Sequence, residues 1–127
     1  MRPEVRYTMA QAEEDLDTAR VLLENDKYYA SVFFSQQAAE KALKALYIHI
    51  KREYPRTHNL VELAQDLEAP EEILEAVKEL NPDYLSTRYV NAANGIPAQM
   101  YTRRSAEVHL KYAREVSLWT RRRLEGG

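Results

Sequence analysis

The chain has 127 residues, the length of a single domain that can bury a hydrophobic core without disulfides or metals. It contains no cysteine, which excludes disulfides, thiolate metal sites and thiol nucleophiles and fits a reducing cytoplasm. The formal net charge of −2 excludes a surface that is basic all over, so any nucleic-acid contact must come from a local patch. No signal peptide and no membrane-spanning run is visible, so we expect a cytoplasmic protein without membrane contact.

Periodic apolar residues predict a first helix over about residues 5–25 and a second over about 28–51. The second helix carries apolar residues on more than half of its circumference, so it must be buried on two sides. It lies either at the centre of a bundle or between the bundle and a second subunit. Its one clear polar ridge consists of Gln36, Glu40, Lys44, Tyr47 and Lys51.

Shorter helices are predicted after a break at Pro55. Asn59, with Glu62 three residues later, resembles a capping box at the start of the third helix, and Pro70 begins a short fourth one. A last long helix runs from about residue 98 or 102 to 124. These elements predict an all-α fold for residues 1–127, an antiparallel up-and-down bundle of four main helices with short extra helices between the second and the last.

The helical pattern breaks over residues 80–95, where an arginine, two tyrosines, an aspartate and three asparagines crowd together. Such a cluster between helices can form a polar site without disturbing the core. Arg88 could hold a phosphate, or it could pair with a nearby carboxylate and fasten a short helix. Tyr84 and Tyr89 could stack on a base, or they could pack in the core with satisfied hydroxyls.

Other candidate sites are less localised. His58 could be an acid–base group or a helix-start residue bonded to a backbone carbonyl. A basic ridge on the last helix could follow a nucleic-acid backbone, dock an acidic partner or be a solvated face. No phosphate loop, metal-ligand spacing or serine triad is present, so no metal and no cofactor is predicted. The ridge consists of Arg103, Arg104, Lys111, Arg114, Arg121 and Arg122.

Two runs are distinctive in combination: the helical run at residues 34–47 followed by Arg-Thr-His-Asn-Leu at 56–60, and Asp-Tyr-Leu-Ser-Thr-Arg-Tyr at 83–89. Together with the helix order and chain length, they resemble the HEPN domain family. The resemblance implies a compact helical bundle that usually forms a homodimer, often through its second and last helices. Many members bind a minimal nucleotidyltransferase encoded beside them, as toxin and antitoxin, and some bind nucleotides.

Other members of that family are metal-independent ribonucleases. In these an arginine holds the phosphate, and a histidine that follows after four to six intervening residues acts on the proton of the ribose 2′-hydroxyl. After Arg88 those positions hold Ala93, Asn94 and Gly95, none of which can shuttle a proton near neutral pH. The same spacing recurs from Arg52 to His58, so the resemblance leaves His58, Arg88 and Arg52 as catalytic candidates.

We therefore expect a HEPN binding module, a homodimer that partners a minimal nucleotidyltransferase and binds a nucleotide or phosphate ligand. RNA is a further expected ligand, held by Arg88 or by the basic ridge. The alternatives are a metal-independent ribonuclease that uses His58 with Arg88 or Arg52, and a purely structural scaffold subunit. The expected ligand-binding residues are Arg88, Tyr84, Tyr89, Asn91 and Asn94.

Overall fold

A computed structural model of the chain describes residues 1–81 and 96–126. Within them we find helices and turns but no strand, which confirms the all-α prediction. None of these helices is long and apolar enough to cross a bilayer. The predicted ligand-binding residues between 82 and 95 fall outside the described part. The helices are α1 (Pro3–Glu24), α2 (Tyr28–Lys51), α3 (Leu60–Asp66), α4 (Glu71–Leu80) and α5 (Arg103–Gly126), with a 3-10 turn at Pro97–Gln99 before α5.

The capping residues explain where the helices begin. Asn59 Oδ1 accepts hydrogen bonds from the backbone N–H groups of Val61 (2.9 Å) and Glu62 (3.1 Å), which confirms its predicted role at the start of α3. The N–H of Asn59 donates to Thr57 Oγ1 at 3.0 Å. The hydroxyl of Thr57 therefore accepts the bond that the Glu62 carboxylate would accept in a capping box. The caps therefore join the segment before α3 firmly to its first turn.

The start of α5 is a reciprocal capping box. The N–H of Thr102 donates to Ser105 Oγ at 2.9 Å, and the N–H of Ser105 donates to Thr102 Oγ1 at 3.2 Å. Of the two predicted starts for the last helix, the one near residue 102 agrees with the structure. The residues at 97–99 form the separate 3-10 turn instead.

α2 is the central helix of the bundle. It packs against α1 and α5 along much of its length and also contacts α3 and α4. α4 is only ten residues long, but it packs on α5 and completes the bundle. Most apolar side chains of α2 are therefore buried within one protomer, although Tyr29 is 37% exposed and Ile50 is 41% exposed. Its fully buried members include Val32, Ala38, Ala39, Ala42, Leu43, Ala45 and Leu46.

The predicted polar ridge of α2 is wrong for two of its members. Gln36 is completely buried and Glu40 is only 7% exposed. Ile50, by contrast, is apolar but is 41% exposed in the last turn of the helix. The difference arises because neighbouring elements cover α2 on its polar side too, which sequence periodicity cannot reveal.

A buried ion pair connects α1 to α2. Asp15 of α1 is 4% exposed, and its Oδ2 accepts a hydrogen bond from Lys41 Nζ of α2. Gln11 Nε2 donates to the other carboxylate oxygen at 2.9 Å. Nearby, Ser31 Oγ donates to the backbone carbonyl of Ala19 at 2.7 Å in a fully buried contact. These polar bonds fix how α1 and α2 are aligned, because a shift of either helix would leave buried polar groups unpaired.

We predict that Lys41→Met lowers the free energy of unfolding by about 2 kcal/mol, because the Asp15 carboxylate would stay buried without its cation. Replacing both residues by leucine should recover most of that loss, since no charge is then left unpaired. Urea denaturation followed by circular dichroism measures both effects.

The matched control is the exposed ion pair of Arg20 with Asp17 and Glu24 on α1. Arg20→Met should lower the free energy of unfolding much less than Lys41→Met does, because water already screens these charges. Equal losses of unfolding free energy in Lys41→Met and Arg20→Met would show that burial does not strengthen the contribution of the Asp15–Lys41 pair.

Candidate functional site

The junction between α2 and α3 brings Glu40, Lys44 and His58 together. Lys44 Nζ donates to Glu40 Oε2 at 2.7 Å, and His58 Nδ1 lies 3.1 Å from the same oxygen. Lys44 Nζ and His58 Nδ1 are 2.8 Å apart. The side chain of Glu40 is 10% exposed and that of Lys44 is 21% exposed, whereas that of His58 is 72% exposed. A buried carboxylate thus holds a half-buried lysine and an exposed imidazole.

The two contacts of His58 Nδ1 correspond to the two neutral tautomers of the ring. With a proton on Nδ1, the N–H donates to Glu40 and Nε2 keeps its lone pair, as in the carboxylate-oriented imidazole of a general base. Without that proton, Nδ1 accepts from the Lys44 ammonium and Nε2–H becomes a donor. The second state suits a phosphate oxygen, which would meet an N–H donor beside a cation.

Arg52 is the other predicted catalytic residue that the structure describes. Arg52 is an exposed residue at the C-terminal cap of α2, in the left-handed conformation with φ of 61°. No hydrogen bond or ion pair joins it to His58 among the described residues. His58 itself bonds to Glu40 and Lys44 and not to a backbone carbonyl. Arg88, Tyr84, Tyr89, Asn91 and Asn94 lie outside the described part of the chain.

Glu40 and Lys44 were missed by the sequence analysis, which assigned them to a solvent-facing ridge. The available signal was their spacing of four residues on a helix that is otherwise apolar on most sides. Three buried polar atoms of this helix also have no hydrogen-bond partner within the described residues: Ser35 Oγ, Gln36 Nε2 and Glu40 Oε1. Buried polar groups are normally paired, so this side of α2 is the least satisfied part of the core.

The basic ridge of α5 is partly used inside the protomer. Arg103 Nη2 donates to Asp26 Oδ1 at 2.7 Å, and its guanidinium lies 5.5 Å from the centroid of the Tyr28 ring. Arg121 forms an ion pair with Glu13 of α1. Four exposed cations of the ridge make no ion pair with another described residue: Arg104, Lys111, Arg114 and Arg122. Along residues 1–81 and 96–126, no cluster of three or more histidine or carboxylate side chains could hold a metal ion.

Asp26 is the titrating member of the contact between the α1–α2 turn and α5. The hydroxyl of Tyr28 donates to Asp26 Oδ1 at 3.0 Å, and Arg103 donates to the same oxygen. These hydrogen bonds, that from Tyr28 first, hold the pKa of Asp26 below its usual value. Because Asp26 is fully exposed, water screens the contact and its effect on stability is small.

Comparison with known proteins agrees with this arrangement of helices, because the family model of the HEPN domain matches residues 5–123. The chain belongs to the HEPN domain family. Among solved structures, it is 32% identical to TT1696 from Thermus thermophilus, with a TM-score of 0.87 over 94% of this chain and 98% of that one. It is 31% identical to ST0689, an archaeal HEPN homologue, with a TM-score of 0.81 over 95% and 97% of the two chains.

A HEPN domain protein from Thermotoga maritima is 29% identical, with a TM-score of 0.75 over 94% of this chain and 98% of that one. A shorter match covers 38 residues that are 55% identical to a Methanocaldococcus jannaschii protein named "Putative toxin MJ1304". It spans 30% of this HEPN chain and only 25% of that protein. The family predicted from the sequence is thus confirmed over nearly the whole chain.

We predict that Asp26→Asn removes part of the pH dependence of stability. The pKa of Asp26 is lower in the folded than in the unfolded protein. Its carboxylate therefore stabilises the fold at pH values above the unfolded-state pKa, and this contribution is lost as the pH falls through the folded-state pKa. The melting temperatures of wild type and variant should therefore differ by a constant amount from pH 7 to about pH 5 and converge below about pH 4. Thermal melts across this range measure the effect, and a difference that stays unchanged in acid would contradict it.

Proposed function

We propose that this HEPN protein is a binding module of a toxin–antitoxin type pair, which acts as a homodimer with a separate minimal nucleotidyltransferase. The proposal rests on the family and on the match to a protein named as a toxin. We further propose that it binds a nucleotide or another phosphate-bearing ligand. The observation that carries this step is the exposed imidazole of His58, held beside the Lys44 ammonium by buried Glu40.

The proposed ligand site combines Lys44 and His58 with residues that were selected from the sequence. A phosphate oxygen between Lys44 and His58 Nε2–H would receive two hydrogen bonds, one of them from a charged donor. Arg88 is proposed to hold phosphate as well, with Tyr84 and Tyr89 against a base and Asn91 and Asn94 as hydrogen-bonding groups. The site lies at the protein surface, where a ligand can reach the imidazole without moving the core.

The proposed homodimer has a candidate surface at the N-terminal end of α5. Ile96 is 56% exposed, Met100 is 49% exposed and Val108 is 37% exposed. Exposed apolar side chains favour contact with another protein surface. Most of α2 is covered within the protomer, so the start of α5 is a candidate for pairing beside the exposed Tyr29 and Ile50 of α2.

We predict that His58→Ala and Arg88→Ala each weaken nucleotide binding by roughly tenfold, since each removes a hydrogen bond to a charged group. Titration calorimetry with AMP, ATP and inorganic phosphate measures the affinities. Arg104→Ala is the matched control, because Arg104 is an exposed arginine of α5 that forms no ion pair with another described residue. A wild-type protein that binds none of the three compounds at millimolar concentration would favour the scaffold role.

A metal-independent ribonuclease is the second candidate, and the contact between Glu40 Oε2 and His58 Nδ1 favours it. With Nδ1–H directed at Glu40, the lone pair of Nε2 could take the proton of a ribose 2′-hydroxyl. The 2′-oxygen would attack the phosphorus and form a 2′,3′-cyclic phosphate, while the bond to the 5′-oxygen breaks and that oxygen takes a proton from water to leave as a hydroxyl. Arg88 or Arg52 would hold the phosphate during this step.

If this candidate is correct, purified protein should cleave single-stranded RNA in the presence of EDTA. His58→Ala should abolish cleavage, and Glu40→Gln should lower kcat by about tenfold or more, because the amide no longer fixes the imidazole as the carboxylate does. Arg52→Ala and Arg88→Ala then show which arginine is used, with Arg104→Ala as the control. Cleavage that survives His58→Ala would exclude His58 as the base, and no cleavage by the wild type would exclude the enzyme.

A further inference from the structure

A groove between α4 and α5 combines an apolar floor with acidic edges. Its volume is about 240 Å³. Leu118 is 48% exposed there, next to half-buried Trp119, and Ile73 lies at the bottom with 4% exposure. An exposed leucine beside a tryptophan ring is a favourable contact for an incoming apolar side chain. The lining residues are Glu72, Ile73, Glu115, Leu118, Trp119 and Arg122.

Glu72 and Glu115 line this α4–α5 groove, and further carboxylates continue from Glu72 along α4. Glu72, Glu75 and Glu79 recur along one side of α4 at spacings of three and four residues, and all three are exposed. Within the described residues none of them forms an ion pair or a side-chain hydrogen bond, and the same holds for Glu115 across the groove. Like charges at such spacings repel one another, so a cationic partner would relieve the repulsion.

We propose that the α4–α5 groove docks a segment of another protein that presents an apolar side chain flanked by lysine or arginine, such as a basic amphipathic helix. Charge complementarity favours this occupant, since Arg122 is the one cation among the lining residues that the structure describes. A second copy of the chain is the alternative occupant, and sedimentation of the free protein distinguishes it. The surface is separate from the His58 site, so the proposal goes beyond the proposed function.

Trp119 makes this proposal directly testable, because it is the only tryptophan in the chain. The probe is a synthetic helical peptide with leucines on one face and lysines on the other, and the same peptide with every lysine replaced by glutamate. The lysine peptide should shift the emission of Trp119 saturably, and added salt should weaken its binding. The glutamate peptide should leave the emission unchanged. No shift with the lysine peptide would overturn the proposal.

Two sets of variants separate groove binding from general attraction to an acidic protein. Leu118→Glu should weaken peptide binding roughly tenfold, since it removes the apolar contact. Val21→Glu is its control, because Val21 is similarly exposed at 41% but lies on α1. The same loss of binding in both variants would overturn the proposal. It would also be overturned if sedimentation, without any peptide, shows a wild-type dimer that Leu118→Glu dissociates.

The second set tests the charges. Reversing Glu72, Glu75 and Glu79 to lysine should weaken binding of the lysine peptide about tenfold or more at low salt. Reversing Glu14, Glu53 and Asp66, which are exposed elsewhere, changes the net charge equally and should have a much smaller effect. Similar effects of the two triple variants would contradict a specific groove. Nucleotide binding should be unchanged in all of these variants, so this proposal and the proposed function can fail independently.

Discussion

Glu40 and Lys41 are consecutive residues of a helix that the bundle surrounds, and the fold depends on pairing both charges. They project about 100° apart on the helix, so each one meets a different neighbour. Lys41 neutralises buried Asp15 of α1, and Glu40 is met by Lys44 and by His58 from the segment before α3. A buried charge without a partner would cost several kcal/mol, so α1 and the junction to α3 must dock in this register. The alanines of α2 let these helices approach closely enough for the contacts to form.

The same pairing prepares the site at the surface. Glu40 is immobilised by the core, and the backbone on the far side of His58 is fixed by the cap of α3, where Asn59 bonds to Val61 and Glu62. Asn81 at the end of α4 adds a third restraint, because its Oδ1 accepts a hydrogen bond from the N–H of Leu60 at 2.9 Å. An exposed imidazole is therefore presented from a rigid support, which is the condition for either binding or proton transfer at low entropic cost.

The sequence predicted those features that depend on neighbouring residues along the chain. α1, α2 and the cap at Asn59 follow from local periodicity and capping chemistry, and their bounds agree within about two residues of the structure. The burial of Gln36 and Glu40 could not be predicted in this way, since it depends on how distant segments cover α2. The pairing of Arg103 with Asp26 joins residues 77 positions apart, so a helical wheel of α5 alone shows only a basic ridge. The spacing from Arg52 to His58 matched a motif, but Arg52 itself takes the left-handed conformation that ends α2, and no described contact joins it to His58.

The charges on the last two helices explain why a small net charge conceals distinct surfaces. α4 exposes a row of glutamates, while α5 exposes cations, so the molecule has an acidic and a basic side although the total is only −2.

A surface that follows a nucleic-acid backbone needs cations in an unbroken row. On α5, however, Arg104, Lys111 and Arg122 alternate with Glu107, Glu115 and exposed Leu118. Mixed charges with exposed apolar side chains are typical of protein–protein contacts, whose specificity comes from matching each charge with an opposite one. The outer face of α5 is therefore better suited to protein partners, and the phosphate-binding role is better supported at the junction of α2 and α3.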